Sequence, residues 1–334
     1  MTDANAVELD AQYRQLREEC GLLDRSQRGK LVVSGAEAAE YLQGQLTNDV
    51  EALSPGEGQY AALLDRKGHI QADMRVLRAP AVPLPGIAVE RNGGSSDLQA
   101  YLIDTEPEAL AAARRHLEMY KVGREADVAD VTAELAILSL IGPRSVELAG
   151  TAALPEHGSA VASVAGVECL AVGAADGIDL IATREDAGRL REALLGAGAV
   201  EVGPEAAELL RIEAGRPRFG AEMSAETMPA EAGIVERAVD FEKGCYIGQE
   251  PVARLHYKGR PNRHLRGLEL SAPAAPGAAL RLGEKEVGRV GSAAVSPARG
   301  PIGLAIVRRE AEPGAELAVG EDGVTARVVD LPFG

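Results

Sequence analysis

Apolar positions recur at helical spacing over residues 7–23, where Leu9, Tyr13, Leu16, Cys20 and Leu23 fall on one face. Leu31-Val32-Val33 reads as a strand, followed by a helix over residues 36–46. Residues 60–64 and 70–77 predict two strands joined through Arg66-Lys67-Gly68, a turn containing glycine. Pro80, Pro83 and Pro85 mark a loop, after which residues 87–90 resume the sheet. Thr105-Glu106-Pro107-Glu108 has the form of a capping box and predicts a helix reaching Tyr120. Residues 135–141 form a nearly continuous apolar run, the pattern of a buried strand, ended by Gly142-Pro143. Residues 151–160 read as a loop. The runs 167–172 and 178–182 flank Asp176-Gly177 and predict a hairpin. Helices are predicted over 186–195 and over 204–213, the latter with proline at its start.

This mixed order of strands, helices and hairpins predicts an α+β fold. It points to two mixed α/β subdomains with largely antiparallel sheets, not a doubly wound parallel sheet. After Gly267 short strands at 268–270, 286–290, 303–307, 316–319 and 325–329 alternate with Gly/Pro turns, as in a small all-β barrel. A boundary near Pro261 divides the chain into 1–260 and a C-terminal β-barrel domain, 261–334. No exact internal repeat is present.

Hydrophobic residues make up 46% and charged residues 26%, as in soluble globular proteins. Acids outnumber bases 51 to 35, a net charge of −16, which disfavours direct DNA binding because no general phosphate-neutralising surface is available. Residues 1–11 are polar and acidic, unlike a secretory signal, and no apolar run is long enough to span a membrane. Cys20, Cys169 and Cys245 lie far apart with no Cys-x-x-Cys pair, which suits free thiols in a reducing cytoplasm. No stably bound metal is expected, because a self-contained zinc or iron–sulfur site needs clustered ligands. Tryptophan is absent, so any stacking on a ligand falls to Tyr or Phe.

One stretch departs from this acidic background. Lys243-Gly244-Cys245-Tyr246-Ile247-Gly248-Gln249-Glu250 opens a segment, 243–267, that carries Lys243, Arg254, Lys258, Arg260, Arg263 and Arg266 against the single acid Glu250. Local positive charge suggests an anionic ligand or partner. Cys245 reads either as a reactive or ligating thiol activated by Lys243, or as a small buried hydrophobe. Tyr246 adds a ring, and Gln249 beside Glu250 could read a donor–acceptor edge such as that of a pterin, or simply face water. Pro251 is expected to stop any helix there. Asp73, inside a strand, suits a general acid/base or an N–H acceptor, or else a solvent-face pair with Arg75 or Arg66. Arg211 and Arg216 could grip a carboxylate, or pair on the surface with Glu213 and its neighbours. His69, His116, His157, His256 and His264 show no metal spacing.

The octapeptide, followed by Val252-Ala253-Arg254, resembles the signature of YgfZ-type folate-binding proteins, relatives of the glycine cleavage T-protein (aminomethyltransferase). The likeness covers nearly the whole chain: residues 41–50, 68–76, Arg211-Ile212-Glu213-Ala214-Gly215 and Pro229-Ala230-Glu231-Ala232-Gly233 resemble superfamily segments in order. It implies a central folate channel, bound tetrahydrofolate, possible polyglutamylation meeting the basic run, and support for assembly or repair of iron–sulfur enzymes, tRNA-modifying ones included. Iron–sulfur client or assembly proteins would be the partners. By position, Asp73 matches a folate-contacting aspartate, Tyr60 a ring lining the pterin pocket, Asn92 a loop asparagine and Arg211 an arginine of the folate-tail region. One departure stands out. Gly173-Ala174-Ala175-Asp176-Gly177 has Ala175 where the T-protein carries a pterin-binding glutamate. Three readings follow: an iron–sulfur accessory protein with Cys245 as its functional thiol, a folate-dependent aminomethyltransferase, or a non-catalytic module docking through 243–267.

Overall fold

The computed structural model describes residues 3–80 and 99–333. The expected strand at 87–90 and the candidate Asn92 lie outside the described residues. The chain forms two compact units. One comprises residues up to Leu64, Gln71–Pro204 and Arg237–Ile247; the other Asp65–Ile70, Glu205–Glu236 and Gly248 onward.

The first unit holds two sheets. One has five strands in the spatial order Gly58–Leu64, Ile70–Arg78, Gln99–Thr105, Gly29–Gly35 and Asp127–Asp130. The other has six, in the order Val200–Glu201, Gly21–Asp24, Leu135–Ile141, Gly177–Thr183, Val167–Ala174 and Ser159–Val164. Among the described strand pairings only that of Gly21–Asp24 with Val200–Glu201 is parallel, so the α+β reading with largely antiparallel sheets holds.

The two sheets pack face to face. Val32, Leu77 and Leu102 of one meet Leu135, Ile137, Leu170, Val172 and Ile181 of the other. Helices Ala38–Gln45 and Pro107–Tyr120 cover the outer face of the five-stranded sheet, with Tyr41, Leu42, Ala113 and Leu117 buried. Helices Ser145–Ala149 and Ala187–Gly196 cover the other sheet through Leu148, Leu190 and Leu194. The result is a helix–sheet–sheet–helix stack built from period-two strands and period-3.6 helices.

The layer between the sheets is apolar along one row of strand partners and ionic along the next. Val32, Leu102 and Leu77 are neighbours across the five-stranded sheet; two residues along each strand come Lys30, Asp104 and Arg75. In the facing sheet Ile137, Ile181 and Leu170 are followed by Ser139 and Asp179. Arg75 joins the two sheets: its Nε donates to Asp104 Oδ2 at 2.6 Å and its Nη1 to Asp179 Oδ2 at 2.7 Å. Ser139 Oγ donates to Asp179 Oδ1 at 2.6 Å, and Arg28 Nε to Asp104 Oδ1 at 2.7 Å. Burial works to raise the Asp104 carboxyl, but Arg75 and Arg28 hold it well below the usual carboxylate range.

In the second unit six strands close into a barrel in the order Arg263–Leu270, Val324–Val329, Glu316–Val319, Ala279–Leu282, Lys285–Arg289 and Gly300–Arg308, which returns to Arg263–Leu270. A seventh strand, Ser292–Ser296, pairs with Gly300–Arg308. Leu268, Leu280, Val287, Val307, Leu317 and Val328 fill the interior.

Four local expectations are corrected. The first helix is Asp3–Glu18, and Leu22 and Leu23 belong to a strand. Helical spacing there coincides with strand spacing, and pairing of Leu22 with Leu140 and Leu23 with Ser139 decides the outcome. The Thr105 capping box does not form, because Thr105 ends a strand and its Oγ1 donates to Asp73 O at 2.6 Å. The helix begins at Pro107 without a side-chain cap. The expected loop 151–160 gives way at Ser159 to a strand, Ser159–Val164, paired with Val167–Ala174. Pro251 does not stop a helix; it sits in the first turn of Gln249–Lys258, where no intrahelical N–H is needed.

Because Arg75 is the buried cation between two buried carboxylates, Arg75→Met is expected to destabilise the protein by about 3–5 kcal/mol. Urea unfolding at neutral pH measures the loss.

Candidate functional site

Asp73 lies two residues from Arg75 on the same face of the strand Ile70–Arg78, yet it is not paired with Arg75 or Arg66 as the solvent-face reading had it. Its side chain is buried. Oδ2 accepts the Tyr60 hydroxyl at 2.7 Å, while the buried Oδ1 has no hydrogen-bond partner among the described residues. Burial raises the Asp73 pKa to about 6, against the lowering pull of the Tyr60 hydrogen bond and Arg28. Burial, reinforced by Asp73, raises the Tyr60 hydroxyl well above its ordinary value. Two sequence-predicted residues, thirteen positions apart, are thereby brought into contact.

The neighbourhood of Tyr60 contains residues that sequence reasoning did not select. The Arg237 guanidinium lies 5.1 Å from the centroid of the Tyr60 ring, and its Nη2 donates to Glu156 Oε1 at 3.0 Å. Asn48 Nδ2 donates to the backbone carbonyl of Tyr60 at 2.9 Å and to that of Arg237 at 3.2 Å. The loop carrying Glu156 and His157 abuts the strand of Tyr60: a Cβ on Gly58 would stand 2.5 Å from the His157 carbonyl oxygen, so only glycine fits. Asp104 and Asp179 had one available signal, a lone charge in an otherwise uncharged strand. Arg237 and Glu156 had none, because chain folding alone places them here.

The signature octapeptide is divided between the units after Ile247. Lys243, the neighbour expected to activate Cys245, makes its hydrogen bonds elsewhere. Its ammonium is turned to three backbone carbonyls, of Gln43 at 2.6 Å, Leu46 at 2.7 Å and Asn48 at 3.1 Å, which close the end of helix Ala38–Gln45. It also lies 5.1 Å from the centroid of the Tyr246 ring. Burial lowers the Lys243 pKa to about 8 and pushes the Tyr246 hydroxyl up to about 12. Tyr246 is buried and its hydroxyl has no partner among the described residues. Gly244 is exposed. Cys245 is exposed, whereas Cys20 and Cys169 are buried, so the reading of Cys245 as a buried hydrophobe fails.

In the second unit, Gly248 takes φ +85° and leads into helix Gln249–Lys258, with Glu250 exposed in its first turn. The basic run separates into two groups. Arg263 pairs with Glu231 and Arg266 with Asp330, while Arg254, Lys258 and Arg260 are exposed. Arg211 is deeply engaged. It donates to Glu208 Oε1 at 2.7 Å, Glu222 Oε2 at 3.0 Å, Ser292 Oγ at 2.6 Å and the Arg216 carbonyl.

The architecture and the chain itself define a family. The GCVT N-terminal domain family matches residues 4–84 and 96–243, and the glycine cleavage T-protein C-terminal barrel domain family matches residues 263–333. The chain therefore belongs to the glycine cleavage T-protein family. It is 31% identical to an aminomethyltransferase of Rubrobacter xylanophilus, over 97% of this chain and 86% of that one. It is 30% identical to an aminomethyltransferase of Saccharopolyspora erythraea, over 97% and 89%. Its fold is that of the glycine cleavage system aminomethyltransferase T from Bartonella henselae, with a TM-score of 0.83 at 23% identity, covering 98% of this chain and 89% of the other.

Two stability tests follow. Asp73 binds its proton more tightly in the folded protein than in the unfolded chain, so its ionised form opposes folding above pH 6 and this penalty fades as the pH falls towards 4. Asp73→Asn is therefore expected to be more stable than wild type at pH 7.5 by about 1–3 kcal/mol. The gap should close in unfolding curves recorded near pH 4. Lys243→Met is expected to cost about 1–3 kcal/mol by abandoning buried carbonyls, whereas Cys245→Ala should change stability by less than about 0.5 kcal/mol. Thermal melts of both variants give the comparison.

Proposed function

We propose that the protein binds tetrahydrofolate at Tyr60 and Asp73 and acts in folate-dependent one-carbon transfer of the aminomethyltransferase type. The carrying observation is the Asp73 carboxyl: buried, fixed through one oxygen by Tyr60, and with its other buried oxygen unpartnered among the described residues. Such an oxygen is costly to bury without a partner, and a ligand N–H would satisfy it. Family membership and the two aminomethyltransferase relatives support the same ligand.

Bound tetrahydrofolate supplies the nitrogen that receives the one-carbon unit. The chain's own part is orientation and proton handling. Tyr60 holds Asp73 in one rotamer, and a carboxyl with its pKa near 6 can both accept and return a proton at neutral pH. Asn92 belongs to this proposal by position alone. Arg211 likewise belongs to it by position alone, and its guanidinium is held by Glu208 and Glu222. The exposed Arg254, Lys258 and Arg260 offer positive charge to an anionic ligand or partner.

A second reading is favoured by two specific observations. Cys245 presents an exposed thiol within the signature, and Ala175, in an exposed turn, stands in place of the T-protein's glutamate. On this reading the protein binds folate while supporting assembly or repair of iron–sulfur enzymes, with Cys245 acting on, or ligating a cluster with, a partner protein.

Reconstituted glycine cleavage with a lipoylated carrier separates the two. Transfer by the wild type, reduced on the order of a hundredfold or more in Asp73→Asn, supports aminomethyl transfer. Folate binding without transfer, together with failure of Cys245→Ala to restore iron–sulfur enzyme activity in a null strain, supports the second reading. Full restoration by Cys245→Ala removes the thiol role. Absence of folate binding by calorimetry defeats both and leaves a module docking through 243–267.

A further inference from the structure

Among the described residues, Arg28, Arg75 and Arg237 are the arginines around the Tyr60–Asp73 pair, and they differ sharply in commitment. The Arg75 side chain is 10% exposed and bound to Asp104 and Asp179. The Arg28 side chain is 21% exposed and bound to Asp104 and Glu106. The Arg237 side chain is 38% exposed and faces one carboxylate, that of Glu156, itself 36% exposed. Ion pairs this exposed contribute little net free energy, so exchanging the partner costs little.

The guanidinium is nonetheless held in place. It lies against the face of the Tyr60 ring, and the backbone of Arg237 is tied through Asn48 to the backbone of Tyr60. A guanidinium stacked on a ring keeps its N–H edge in plane and available, the geometry that carboxylates match with two parallel hydrogen bonds. On the other side, His157 stands with Nε2 3.8 Å from Glu156 Oε1. Its pKa is lowered to about 4 by burial, with Arg75 and Arg237 acting in the same direction and Glu156 and Asp104 opposing them. It is thus neutral at pH 7 and does not compete with Arg237 for an anion. His157 takes φ +67°, unusual outside glycine, and the loop is pinned by His157 N donating to Gly173 O at 2.8 Å and Ser159 N to Gly56 O at 2.6 Å. The loop thereby holds Glu156 at the guanidinium.

We infer that Arg237 is a carboxylate-binding residue at the edge of the Tyr60–Asp73 site, and that Glu156 occupies its guanidinium until a ligand carboxylate replaces it. The inference rests on the folate reading of that pair. The carboxylate has two chemical sources: the glutamate of the folate itself, or the carboxylate of a small amino acid bound beside the pterin.

Calorimetry on the full chain with three probes tests this: tetrahydrofolate, 6-methyltetrahydropterin, which has no carboxylate, and N-methylglycine added to pterin-loaded protein. Arg237→Gln is expected to weaken a carboxylate-bearing probe by roughly tenfold or more while leaving the pterin affinity unchanged. Glu156→Gln is expected to strengthen the same probe. An effect on tetrahydrofolate assigns the site to the folate glutamate; one on N-methylglycine assigns it to a small amino acid. Equal weakening of all probes, or unchanged affinities in both variants, overturns the inference while the folate reading stands. If neither tetrahydrofolate nor the pterin binds wild-type protein, the folate reading falls and the inference with it.

Discussion

The guanidinium of Arg75 lies between two sheets and holds a carboxylate from each. The rest of the first unit depends on this bridge. Buried charges are tolerated only when paired and hydrogen-bonded, so the sheets must meet in the register that brings Asp104 and Asp179 to the same cation. Ser139 and Arg28 satisfy further oxygens of these two carboxylates. The adjoining apolar row supplies the burial that drives packing, and the ionic row makes the packing selective.

Asp73 follows from that arrangement by strand periodicity. It faces the same way as Arg75, two residues earlier, where the apolar row has been left behind. Asp104 and Asp73 are both buried carboxylates, and their environments drive them in opposite directions. Two guanidinium groups hold Asp104 ionised, while Asp73 has only a tyrosine hydroxyl on one oxygen, and burial lifts it to about 6. Separation of this kind between neighbouring carboxyls divides structural from chemical duty. Asp104 belongs to the frame, and Asp73 is the group left able to exchange a proton.

The signature octapeptide divides its work in a similar way. Lys243, the residue that first suggests an activated thiol, instead closes the end of a helix two hundred positions earlier in the chain. Tyr246 packs beneath it. With its cation and ring both turned inward, the segment leaves Cys245 exposed.

Much of the architecture could be read from residue order alone. Period-two strands, the Asp176-Gly177 hairpin and the change of character after Gly267 are local patterns, set by backbone sterics and by the burial of alternate side chains. The signature and the segments around Asp73 and Arg211 likewise stand in linear order and point to the family. What lay beyond the sequence depended on contacts between distant residues. Leu22 and Leu23 fit a helix as well as a strand until Leu140 and Ser139 pair with them. Arg75 could equally have bound Asp73; Asp104 on the neighbouring strand and Asp179 in the facing sheet decide otherwise. Arg237 and Glu156 lie eighty-one positions apart, and nothing near either marks them as partners. A sequence determines local preference residue by residue, but the protonation of a buried carboxyl and the partner of a buried cation depend on every group that folding brings within a few ångströms.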